Sequence, residues 1–169
     1  MDTRTVLKAQ FSMALGILDG TVASCTQGML DTVPAGGALQ SLGVIAAHAA
    51  VNTDHFLNVG FAGGEMLLAQ GDLAERAGIP TGDTWQTAAW VAKANVRKEP
   101  LQEYIQSLIG AVERVISDAT DEQFDREVPA GPGTMPAWQS LGVIGLVHLL
   151  EHSGEVAAIA GTMGVRGPY

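Results

Sequence analysis

Leu141-Gly-Val-Ile-Gly-Leu-Val-His148-Leu-Leu-Glu-His152-Ser-Gly-Glu155 decides how this chain is read. From Leu141 to Leu150 it is apolar almost all the way round a helix, within a helical segment predicted from about Pro136 to Thr162. A helix without a polar face is either central in a fold or turned toward another subunit. A second such segment, from about Leu39 to Val59, is apolar on most of its circumference between Leu42 and Val51. Two amphipathic segments accompany them. One runs from about Thr5 to Ala23, with Leu7, Phe11, Ala14, Leu18 and Val22 on one face. The other begins at Pro100 and lines up Leu101, Tyr104, Ile105, Leu108, Val112 and Ile116.

No stretch alternates as a strand does. The expectation is therefore an all-α fold, a four-helix bundle formed by residues 1–169 as a single domain. The link from Phe61 to Glu99 is too long for a bundle turn, and a crossover of that length lets helices two and three run parallel. Short helices are predicted within it at Leu73–Ala77 and from Trp85 to Ala94. Thr120-Asp-Glu-Gln123 has capping-box spacing and precedes a loop predicted from Glu127 to Met135. Gly43, Gly142 and Gly145 lie inside the apolar helices, where each costs about 1 kcal/mol against alanine. Close approach of a neighbouring helix would offset that cost. The two helices also echo each other. Gln40-Ser-Leu-Gly-Val-Ile45 matches Gln139-Ser-Leu-Gly-Val-Ile144, yet His48 follows by three positions and His148 by four.

Composition narrows the function classes. The 169 residues carry 9 basic and 18 acidic side chains, a net charge of −9, which argues against a nucleic-acid partner. Hydrophobic residues make up 47%, so a filled core is expected. The charge-free runs Thr32 to Thr53 and Val128 to Leu150 are broken by prolines and glycines, and the N-terminus lacks signal-peptide order, so no membrane partner is expected. Cys25 is the single cysteine, which fits a reducing, cytoplasmic setting. It reads as a core residue, and Trp85, Trp90 and Trp138 read as hydrophobic anchors.

The four histidines carry the chemistry. His148 and His152 are spaced i, i+4, which puts two imidazoles on one helix face within reach of one cation at about 2.0–2.1 Å. His48 occupies the same apolar setting on helix two, and buried rings need partners that an ion supplies. His55 lies about 10.5 Å further along that helix, near its polar end, so His48 is preferred as third ligand. Asn52 and Glu151 are candidate partners of the ligating rings, and Glu151 is the candidate base or orienting carboxylate. Rings that hydrogen-bond across a bundle with no ion remain the alternative. His148-Leu-Leu-Glu-His152 also fits a metallopeptidase pattern, but the further acidic ligand which that chemistry needs has too little chain left to come from. A di-iron bundle needs Glu-x-x-His, and no glutamate here has histidine three positions later.

Gly43-Val-Ile-Ala-Ala-His48, His148-Leu-Leu-Glu-His152-Ser-Gly-Glu155, the Ala119–Arg126 segment and the long crossover together make the chain resemble the DinB-like superfamily of four-helix-bundle proteins. The resemblance implies a bundle with a crossover, a homodimer, and a divalent metal (nickel, zinc or iron) held by His48, His148 and His152. It also implies a small-molecule substrate, since relatives include metal-dependent transferases and isomerases that use low-molecular-weight thiols such as bacillithiol or mycothiol. Ser153-Gly154-Glu155 departs from the family pattern at the rim of the site. The resulting expectation is a metal-dependent enzyme, such as a thiol S-transferase or isomerase. Its rival is a non-catalytic dimeric stress protein that binds a metal or small ligand.

Overall fold

The structure, a computed structural model, describes residues 2–35, 40–81, 87–130 and 132–166. Asp2 opens α1 (Thr3–Ser24) by accepting the Arg4 N–H, and the helix buries Leu7, Phe11, Ala14, Leu15, Leu18 and Val22 along one stripe. The single turn α2 (Gln27–Leu30) follows, capped by Thr26. Ser41 caps α3 (Leu42–Asp54), and every one of its residues is buried. The chain continues without a break into a π-helical segment, His55–Phe61. The crossover contains a 3₁₀ turn at Leu67–Ala69, α4 (Leu73–Ala77) and α5 (Ala88–Lys93). Next come α6 (Lys98–Asp118) and the short α7 (Asp121–Asp125), which has the expected Thr120–Gln123 capping box. Finally α8 (Ala137–Ser140), a second π segment (Leu141–Leu146) and α9 (Val147–Thr162) form one rod.

The contacts give the direction of each helix. Arg4 binds Asp121 at 2.7 Å, Lys8 binds Glu113 at 2.8 Å, and Lys98 reaches the Ala23 carbonyl at 2.8 Å, so α1 and α6 are antiparallel. Tyr104 meets Asp54, and Gly43 packs near Val96, so α3 and α6 run parallel, as the long crossover allows. His48 faces His148 and His152 while Phe56 lies over Gly145, so α3 and the last rod are antiparallel. The bundle is all-α with up, down, down, up order, and its core includes Phe11, Leu15, Leu18, Tyr104, Ile105, Leu108 and Leu149, all fully buried. Each such side chain contributes about 1.5–3 kcal/mol relative to exposure.

Several details depart from the sequence reading. Glu127–Ala130 (β1) and Gly133–Pro136 (β2) form an antiparallel hairpin where a loop was expected. Four-residue strands with Pro129 and Pro136 are too short for a period to show. Both strands are edges, so a missing proline N–H costs no ladder bond. The helix predicted from Leu39 starts at Leu42; Leu39 and Trp85 lie outside the described residues. At Gly43 an added Cβ would sit 3.1 Å from the Leu30 carbonyl oxygen, so a backbone does approach there. At Gly142 and Gly145 the neighbours are instead the side chains of Leu7 and Phe56. By length and composition the helix Ala137–Thr162 is apolar enough to cross a membrane, a test that bundle core helices also pass.

The crossover is fastened by Asp54, which is fully buried. Its carboxylate accepts from the Asn58 amide (2.8 Å), the Leu67 and Leu68 N–H groups (3.0 Å each) and the Tyr104 hydroxyl (2.6 Å). Four donors offset the cost of burying the charge. Trp90 is buried and donates to the Pro80 carbonyl, which makes it an anchor. Trp138 stacks on Phe124 beside the hairpin.

Candidate metal centre

His48 is placed by α3. Its helix is central, so the ring is buried, with only 6% of the residue exposed. His148 and His152 stand one turn apart on α9 and face it. Ring centroids are 4.9 Å (His48–His148), 4.8 Å (His48–His152) and 4.4 Å (His148–His152) apart. His48 Nε2 and His148 Nε2 approach to 3.1 Å. Among the described residues, His48, His148 and His152 bring one ligand atom each within 4.8 Å of one another.

The π segment explains why the histidine offset in the echo does no harm. A π turn accommodates one extra residue relative to an α turn. Leu141–Leu146 is π-helical where the corresponding stretch of α3 is α-helical, and His148 follows its Ile one position later than His48 does. The extra residue is taken up before His148, so both imidazoles of α9 turn toward α3. The one-residue mismatch between the two copies was the sequence signal for this segment.

Burial keeps the His48 and His148 rings neutral. Burial pushes the His48 imidazole down to about 3, with the charges of His152 and His148 adding to the effect. Burial also lowers His148, again helped by His152 and opposed by Glu151 and Glu155. Neutral imidazole is the form that ligates a metal. The closest pair of donors, the Nε2 atoms of His48 and His148, fits a divalent ion. Two nitrogens held at 2.0–2.1 Å by one ion lie about 2.9 Å apart at a right angle and about 3.4 Å apart in a tetrahedron, which brackets the observed 3.1 Å. Among the described residues His148 Nδ1 is buried with no hydrogen-bond partner, a cost that an ion on Nε2 leaves in place.

The surrounding residues divide the sequence-predicted roles. Asn52 places its amide nitrogen 3.0 and 3.2 Å from the His48 ring nitrogens and donates to the His48 carbonyl. Glu151 is exposed, and among the described residues it makes no hydrogen bond to an imidazole; its charge is felt at His148. The carboxylate bonded to a ring is Glu155, 2.5 Å from His152 Nδ1. Its i, i+3 spacing from His152 was the signal for that contact. His55 lies apart, on the π segment, where it lines a cleft with Arg126 and Leu141. Cys25 is buried, and burial pushes its thiol up, which fits a core residue.

Comparison with known proteins places this arrangement. No curated protein matches the chain. A crystal structure described as a conserved protein of locus from Enterococcus faecalis superposes with a TM-score of 0.78 at 18% identity, covering 95% of this chain and 96% of that one, which shows a shared fold. The sequence profile of the DinB superfamily matches residues 10–156. With the bundle order and the helix pair that carries the three histidines already in view, the chain belongs to the DinB superfamily.

Proposed function

We propose that this protein binds one divalent cation through His48, His148 and His152 and uses it to transform a small molecule, a low-molecular-weight thiol being the substrate class that the family resemblance implies. The observation that carries the reading is the convergence of three imidazoles from α3 and α9, with two Nε2 atoms 3.1 Å apart. Three imidazole ligands leave a coordination position open, and a cation there acts as a Lewis acid that lowers the pKa of a bound thiol or water. The chain's own part is to hold His48 and His148 neutral by burial and to orient the rings through Asn52 and Glu155. Nickel, zinc and iron(II) all accept imidazole, so the donor set admits each. A second copy of the chain is the partner implied by the family. Val143, Val147 and Leu150, exposed on the last rod, suit such a contact.

Metal analysis of purified wild-type, His48→Ala and His148→Ala protein tests the ligand set. The wild type is expected to hold about one ion per chain and each variant to lose it. Metal content unchanged by both substitutions would end the proposal. The non-catalytic reading draws on the exposed position of Glu151, which makes no hydrogen bond to the rings among the described residues. Turnover of thiols with electrophiles on metal-loaded protein separates the two readings.

A further inference from the structure

The three imidazoles have unequal surroundings. Among the described residues the His48 ring lies against an amide, His148 Nδ1 has no hydrogen-bond partner, and of the three rings only His152 is bonded to a carboxylate. Glu155 follows His152 by three residues on α9, so the helix itself brings the two side chains together. We infer that Glu155 is a positioning residue of the centre: it accepts the His152 Nδ1 hydrogen bond and so presents His152 Nε2 to the ion. This rests on the metal-binding reading above.

The chemistry runs in one direction. An ionised carboxylate only accepts hydrogen bonds, so the ring nitrogen facing it carries the proton. A neutral imidazole then has its lone pair on the other nitrogen, the atom available to ligate. The carboxylate also offsets part of the charge of an ion held by three neutral rings. Glu151 lies closer in sequence to both histidines of α9, but it is exposed and bonds neither of them. Glu155 is partly exposed, with 40% of its side chain accessible, so its replacement leaves the core intact.

The test compares wild type, Glu155→Gln and Glu155→Ala by calorimetric zinc titration. Nitrogen–proton NMR of the metal-free His152 ring is recorded alongside, about two units above the ordinary imidazole pKa. Glu155→Ala is expected to lose about 10–100-fold in zinc affinity, with Glu155→Gln, which keeps an acceptor oxygen, in between. In the spectra the wild-type proton sits on Nδ1 and moves to Nε2 in Glu155→Ala. Equal zinc affinity in Glu155→Ala and wild type, or a wild-type proton on Nε2, overturns the assignment. A wild type that binds no zinc would defeat the metal reading itself, and the NMR comparison would still decide the part played by Glu155.

Discussion

His48 shows what a single buried residue does to the pH response. In the unfolded chain its imidazole titrates near the ordinary 6.5, whereas burial holds the folded one down to about 3. Between those values the unfolded chain takes up a proton that the folded chain refuses, so stability is intact above 6.5 and falls as the pH drops toward 3. Thermal melts of metal-free protein should therefore lose stability steadily below 6.5, and His48→Gln should flatten the upper part of that decline. An identical decline in the variant would show that the burden lies elsewhere. His48, His148 and His152 could be named from spacing and apolar context because those are local properties. Glu155 was not singled out, since choosing between two nearby carboxylates needs rotamers that a sequence does not display.

At the scale of elements, the π segment Leu141–Leu146 is what aims α9. Val143 lies within it with its side chain 55% exposed, so its removal takes little from the core. Deleting Val143 removes the residue that the π turn takes up, so the rod should close into regular α-helix with His148 and His152 still turned toward α3. The expected result is zinc affinity within about 10-fold of wild type with helical circular dichroism retained. A larger loss of zinc affinity in the deletion variant would contradict this role. The four long helices were legible because buried stripes and apolar circumferences repeat over many residues. The hairpin escaped notice because its strands span four residues each and contain prolines.

For the whole molecule, an ion held between α3 and α9 as proposed would join the two halves of the chain and so link binding to folding. A ligand at about 100 times its Kd stabilises the native state by about 2.7 kcal/mol. For a chain of this size that corresponds to a rise in Tm of about 5–10 °C. Differential scanning calorimetry with zinc and with chelator should show this gap in the wild type and its disappearance in His148→Ala; a gap of equal size in that variant would place the ion elsewhere. By itself the sequence determined the helical class, the long crossover and the histidines worth watching, because periodicity and composition act along one element at a time. Only the tertiary structure decided that α3 and α6 run parallel, that Asp54 fastens the crossover and that Glu155 faces His152. Those outcomes depend on where packing sets one backbone against another and which rotamers it leaves open.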